Sequence, residues 1–213
     1  MLNINYGQIQ DSRNWIISNV TQCKIMRPEL RVIDIGGNAI GWTKDIVDMV
    51  VDINSPENEK NIRIDICNVF EWNKLLEHVL KQGKYDYAIC THTLEDIYNP
   101  VVAIELLPKI SHAGIITMPS IRTELSRIES LDWIGYIHHR WIFDQIKGEM
   151  LVIPKICLLE GLVGNTIHHK FETEEIRFQW SDVIPYKMFM DNYLGPNADT
   201  VINEYKNLIK LLQ

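Results

Sequence analysis

Residues 31–54, RVIDIGGNAIGWTKDIVDMVVDIN, constrain this chain more than any other stretch. Val32-Ile33-Asp34-Ile35 is an apolar run of strand length. Gly36-Gly37-Asn38-Ala39-Ile40-Gly41 is a glycine turn. A short helical segment is predicted next, and Met49-Val50-Val51 is a second strand that ends at Asp52. The pattern is strand, glycine turn, helix, strand. Glycine has no Cβ and lets backbone approach a ligand closely. A helix starting after the turn would aim its free N–H groups and positive dipole end at it. A carboxylate at the tip of the second strand can accept hydrogen bonds from two vicinal ribose hydroxyls.

The glycine frame separates ligand classes. A dinucleotide fingerprint reads G-x-G-x-x-G, and its middle glycine admits a pyrophosphate. Here Asn38 stands at that position, between Gly36 and Gly41. A nucleoside ligand without a pyrophosphate tolerates this change. The run Val32-Ile33-Asp34-Ile35-Gly36-Gly37-Asn38 resembles the first motif of the class I, seven-strand SAM-dependent methyltransferases of small-molecule type. That resemblance implies an α/β fold: a Rossmann-like, doubly wound, seven-stranded sheet, mostly parallel, with a C-terminal antiparallel hairpin and helices on both faces. It also implies S-adenosyl-L-methionine (SAM) as cofactor. Asp34, Gly36, Gly37, Asn38, Asp52 and Ile53 are the first cofactor-binding candidates.

Two later segments carry the resemblance on. Ile62-Arg63-Ile64-Asp65-Ile66 alternates as a short third strand. In the resembling family an acidic residue here meets the adenine amine and the next apolar residue packs on the ring, roles that Asp65 and Ile66 fit. The competing reading of Asp65 is a turn or helix-capping aspartate. Tyr85–Asp96 is an apolar strand ending in Thr91-His92-Thr93-Leu94-Glu95-Asp96, where the carboxyl ends of parallel strands place a ligand crevice. It resembles the fourth-strand motif of small-molecule methyltransferases, with Asp96 where a histidine is usual. Thr91 joins the cofactor set and Glu95 the substrate set. Helices are predicted over 71–82 and from Asn99-Pro100, with Ile115–Pro119 as the fifth strand. The resemblance spans residues 31–120, a little over two-fifths of the chain.

Outside that core the reading rests on pattern. Residues 1–10 read as a loose lead-in, and Asp11-Ser12 as the start of a helix running to Cys23. Residues 149–159 and 165–180 read as the last two strands, paired as the closing hairpin. Residues 199–212 read as an amphipathic helix. The expected organisation is one domain: 1–30 an N-terminal helical lead, 31–120 the cofactor core, 121–213 the substrate-selecting segment with the hairpin and last helix.

Tyr136-Ile137-His138-His139-Arg140-Trp141 gathers a phenol, two imidazoles, a guanidinium and an indole. Tyr136, Arg140 and Trp141 are substrate-binding candidates, suited to a sugar or planar ring, with Arg140 able to grip a phosphate. Methyl transfer to a hydroxyl needs a base, and histidine has the best-matched pKa, so His92, His138 and His139 are the catalytic candidates. The pairs His138-His139 and His168-His169 give at most one metal ligand per face if they lie on strands, so structural zinc is not expected. Glu95 and Asp96 are the oxygen ligands a Mg²⁺ would use, as in some sugar and catechol-type methyltransferases.

The expected activity is SAM-dependent O-methyl transfer to a polar small molecule, a sugar or nucleotide-sugar first. Two other readings stay open: an NAD(P)-dependent oxidoreductase, which Asn38 argues against, and a methyltransferase-like domain that binds without turnover. The charge balance bears on partners. With 21 Lys and Arg against 28 Asp and Glu, the net charge is −7, which disfavours a phosphate backbone as substrate. No apolar run is long enough to span a bilayer and no leader core is visible, so a cytoplasmic protein off the membrane is expected, with a homo-oligomer open. The four scattered cysteines form no C-x-x-C and read as reduced thiols.

Overall fold

The computed structural model describes residues 2–156, 158–163, 173–189 and 198–211. Its main sheet has seven strands in the order β1-β9-β6-β5-β2-β3-β4. The strands are β1 (Leu2–Gln8), β2 (Val32–Ile35), β3 (Met49–Val51), β4 (Asn61–Ile62), β5 (Tyr85–Thr91), β6 (Ser111–Pro119) and β9 (Glu174–Ser181). From β4 to β6 every pairing is parallel; β9 is antiparallel to both β6 and β1. A second sheet, order β10-β8-β7, holds β7 (Trp141–Ile146), β8 (Glu149–Pro154) and β10 (Tyr186–Met188). The architecture is α/β, doubly wound and Rossmann-like, with the small sheet added.

The central strands form because both their faces are covered. Val32, Ile33 and Ile35 are fully buried, as are Ile89, Ile115 and Ile116. Alternate residues serve opposite cores. Ile33, Ile35, Ala88, Cys90, Ile116 and Met118 face α2 (Trp72–Gln82) and α3 (Pro100–Ile110), while Val32, Ile89 and Ile115 face α1 (Ile9–Met26) through Ile16 and Val20. The second sheet is buried on both sides too. Trp141, Phe143, Met150 and Val152 join the main core. Ile142, Leu151 and Ile153 join a smaller one with α4 (Ile121–Glu124) and α6 (Ala198–Leu211). A short helix, α5 (Leu158–Val163), contacts α6.

Three expectations are corrected. Residues 2–8 are not a loose lead-in. They form β1, paired with β9 over seven residues from Leu2 opposite Trp180 to Gln8 opposite Glu174. The signal was present: Leu2, Ile4 and Tyr6 alternate with Asn3, Asn5 and Gly7. The closing hairpin is also different. Residues 149–154 do not pair with β9; they pair with β7 through a two-residue turn at Lys147 and Gly148, whose φ values of 51° and 81° suit a tight hairpin. The place beside β9 is taken by β1. The part of the predicted last strand before Glu174, with His168 and His169, lies outside the described residues, as does Cys157.

The third correction concerns the glycine turn. Residues 39–46 run through consecutive turns rather than a helix, with Ile46 and Val47 both donating backbone N–H groups to Thr43 O. Thr43 is drawn inward, 1% exposed, and its hydroxyl donates to Asp34 Oδ2 at 2.5 Å. The helix-dipole contribution expected at this turn is therefore not supplied by the segment that follows it. Among the described residues no helix is long and apolar enough to cross a membrane.

Candidate active site

The strand ends place the site. A cavity of about 440 Å³ opens at the carboxyl ends of β2, β3 and β5 and over the loop after β4. Gly36, Asp52, Ile53, Asp65, Ile66, His92, Thr93, Asp96 and Arg140 line it. Five of the nine cofactor candidates, one of the three histidines and Arg140 thus meet around one space, brought from stretches as far apart in sequence as Gly36 and Arg140.

Gly36 is required twice over. Its φ is +77°, which side chains rarely adopt, and a Cβ there would run into the Thr93 side chain. Its N–H donates to Val51 O at 2.7 Å, tying the turn to the next strand. Gly37 is held by the space above Asp34, whose carboxylate would collide with any Cβ. Asp34 itself does not line the cavity. It is 3% exposed beneath the turn, and burial pushes its pKa up to about 6 despite the Thr43 hydrogen bond. Asn38 folds onto its own turn, its Oδ1 accepting from Ile40 N and its carbonyl from Gly41 N.

Asp52 and Asp65 both reach the cavity while shaping their loops. Asp52 Oδ1 accepts from Asn54 N at 2.7 Å, and Asp65 Oδ1 from Cys67 N at 2.8 Å. For Asp65 the two roles foreseen, ligand contact and turn cap, coincide in one side chain. Thr91 ends β5, and its carbonyl accepts from the Thr93 hydroxyl.

His92 occupies a left-handed backbone position, φ 48°, just past β5. Its Nε2 lies 3.0 Å from Glu175 Oε2 and its Nδ1 3.3 Å from Glu95 Oε1. Burial pulls its pKa down, but the two carboxylates outweigh it and lift the pKa to about 9. At neutral pH His92 is therefore an imidazolium with no lone pair to accept a proton. Glu175 has no sequence motif that announces it; Arg177, two residues along the same strand, holds its other oxygen at 3.4 Å.

The segment Tyr136–Trp141 is drawn to Glu95 and Asp96 by backbone. Glu95 O accepts from Arg140 N at 2.7 Å and from Trp141 N at 3.2 Å, and Trp141 Nε1 donates to Ile97 O. Trp141 is 7% exposed and its indole serves the core. Because this segment is a turn and not a strand, the strand rule that sent His138 and His139 to opposite faces does not apply. Their rings meet edge to face, centroids 4.5 Å apart, with Tyr136 tilted over His139 at 4.7 Å. Both Nε2 atoms face Asp96 Oδ1, at 3.7 Å from His138 and 3.5 Å from His139. Behind His139, Nδ1 is 2.5 Å from Glu124 Oε1, and Lys155 holds Glu124 Oε2 at 2.8 Å. Glu124 and Lys155 carried no sequence signal, being ordinary charged residues in α4 and after β8.

The donor set fits an adenosyl ligand: carboxylates at two successive strand loops, an apolar residue after each, and a glycine turn with space above it. No protein-family model matches the chain, and no curated protein matches it. Among solved structures it is similar to the methyltransferase domain of bacterial CtHen1-CN, at 10% identity and a TM-score of 0.43, over 82% of this chain and the whole of that one. A likeness this distant assigns no activity. The strand order itself, with five parallel strands flanked by an antiparallel β9, is the mostly parallel, Rossmann-like sheet that the sequence implied.

Proposed function

We propose that the chain is a SAM-dependent methyltransferase acting on a hydroxyl of a polar small molecule, a sugar or nucleotide-sugar first. The observation that carries this reading is the cavity at the strand ends, where Gly36, Asp52, Ile53, Asp65 and Ile66 converge. In this reading Asp52 accepts from the ribose hydroxyls, Asp65 from the adenine amine, and Ile53 and Ile66 cover the ring. SAM supplies a methyl on a sulfonium that is already an excellent leaving group. The protein has to orient the acceptor and draw off its proton.

The residues around the cavity divide that work. His92, kept cationic by Glu95 and Glu175, has both ring N–H groups turned to those carboxylates and positions rather than abstracts. The acceptor's proton is drawn toward the Asp96, His138 and His139 cluster, which presents Asp96 Oδ1 and two Nε2 atoms to the same point. Arg140 lines the cavity beside it and suits a phosphate or sugar oxygen on the acceptor. The net charge of −7 supports a small acceptor over a nucleic acid.

Titration calorimetry with S-adenosylhomocysteine and, separately, NAD tests the reading. Saturable binding of the first and none of the second is expected; the reverse pattern would make the oxidoreductase reading the better one. Binding without methyl transfer to any hydroxyl, amine or carboxyl acceptor would favour a non-catalytic domain.

A further inference from the structure

We propose that Asp96, His138 and His139 form a divalent-cation site at the acceptor end of the cavity, of the borderline transition-metal class (Mn²⁺ to Zn²⁺) rather than a Mg²⁺ site. The role given to that cation rests on the methyltransferase reading; the site itself does not.

The geometry is that of ligands around a shared ion. One atom from each residue lies within 4.8 Å of the others. The His139 Nε2 to Asp96 Oδ1 separation of 3.5 Å and the His138 separation of 3.7 Å are both too long for a good hydrogen bond. Two ligands about 2.1 Å from one ion and roughly 110° apart are about 3.4 Å from each other. The spacing is therefore short for unrelated neighbours and right for coligands.

The tautomer of His139 points the same way. Glu124, 1% exposed and held by Lys155, accepts from Nδ1–H at 2.5 Å, as carboxylates do behind metal-bound imidazoles. In the neutral ring, Nε2 then carries the lone pair, and it faces a carboxylate oxygen that is itself buried without a hydrogen-bond partner among the described residues. Two acceptors facing one another repel unless a cation lies between them. A second observation is independent of the cluster's shape. Glu95, next along the chain and 1% exposed, has no hydrogen-bond partner at either carboxylate oxygen among the described residues beyond the 3.3 Å approach of His92 Nδ1. Among the described residues its ion-pair partner, His92, is shared with Glu175. This corner thus holds a buried carboxylate that has to share its cation.

Two imidazoles with one carboxylate suit Mn²⁺, Fe²⁺, Co²⁺ or Zn²⁺ and leave coordination positions open. Asp96 also lines the cavity, so those positions face the acceptor. With the ion in place the ligating imidazoles have no lone pair to take a proton, so a hydroxyl bound there would lose its proton more readily to water in the open cavity, and vicinal hydroxyls could bind as a pair.

The test uses the full chain, stripped with chelator and then titrated with Co²⁺ alone, followed by visible absorption and calorimetry. One equivalent is expected to bind, with d–d bands reporting nitrogen and oxygen ligands. Asp96→Asn and His138→Ala, both at partly exposed positions, should each weaken binding at least tenfold with unchanged circular dichroism. Absence of saturable binding up to about 1 mM, or equal affinity in wild type and both variants, would overturn the site. S-adenosylhomocysteine is titrated in parallel with excess chelator. If it binds while Co²⁺ does not, the cation proposal fails alone; if Co²⁺ binds while it does not, the cofactor reading fails alone.

Discussion

His92 Nε2 and Glu175 Oε2 lie 3.0 Å apart, joining the end of β5 to the start of β9 beside the cavity that His92 lines. With Glu95 on the other ring nitrogen, the imidazole is bracketed by carboxylates, and its pKa is raised from 6.5 to about 9. A histidine whose folded pKa is raised contributes stability that is complete below its unfolded pKa and is lost as pH rises through the folded value. The stability of the chain should therefore decline between about pH 6.5 and 9, by up to roughly 3 kcal/mol. Glu175→Gln should flatten that decline, and urea unfolding at pH 6, 7.5 and 9 reads it directly. An identical pH slope in the variant would show that His92 is not held cationic by Glu175.

Gly36 and Thr93 make a separable pair. Gly36→Ala meets two penalties, a positive φ and a collision with the Thr93 side chain. The first costs about 1 kcal/mol on its own. The single variant should lose more than that, about 2–4 kcal/mol. Gly36→Ala with Thr93→Ala should recover the steric part and leave the conformational part, so the double variant falls between the single variant and wild type. Full recovery would mean that the backbone at residue 36 relaxes out of the left-handed region.

The parts of the fold legible in the sequence are those set by local pattern. β2, β3, β5 and β6 are buried runs, and a glycine at residue 36 has few uses other than a tight turn. The hairpin β7–β8 was equally local, marked by Lys147-Gly148 between two apolar runs, and reading 149–159 as half of a different hairpin hid it. β1 carried the alternation of a strand in Leu2–Gly7, but its pairing with β9 is set by residues more than 160 positions away. The site was legible only in its strand-tip residues. Its other half depends on separation in sequence: Glu175 is 83 residues from His92, and His139 is 43 residues from Asp96 and 15 from Glu124. Only the fold brings these groups together. The expected helix after the glycine turn failed for a related reason, since the buried Asp34 captures Thr43 and pulls that segment inward.

A side-chain hydrogen bond ties β1 to the second sheet. Tyr6 hydroxyl donates to Asp144 Oδ1 at 2.7 Å, and Asp144 is 9% exposed. Tyr6→Phe keeps the ring and removes the donor, leaving the carboxylate with the backbone bond from Gln145. The loss should be about 1–2 kcal/mol in chemical denaturation. Asp144→Asn in the Tyr6→Phe background should cost less than in wild type, because the contact it would weaken is already gone. Additive effects would show that the two groups do not interact.

Asp52 and Asp65 give the sharpest functional test, because the same two side chains have loop-shaping work that must be kept apart from ligand contact. Each accepts one backbone N–H, from Asn54 and from Cys67. Asparagine at either position retains an oxygen for that bond but offers an amide where the ligand needs a second acceptor. Asp52→Asn is expected to weaken S-adenosylhomocysteine binding by about 1–3 kcal/mol, roughly tenfold to a hundredfold, with little change in stability. Asp65→Asn should do the same for adenosine ligands and discriminate less against inosine analogues, whose ring edge donates and accepts differently. Calorimetric affinities set beside denaturation midpoints separate the roles. A fall in stability with affinity intact would assign these carboxylates to the loops, and the cavity would need a different ligand.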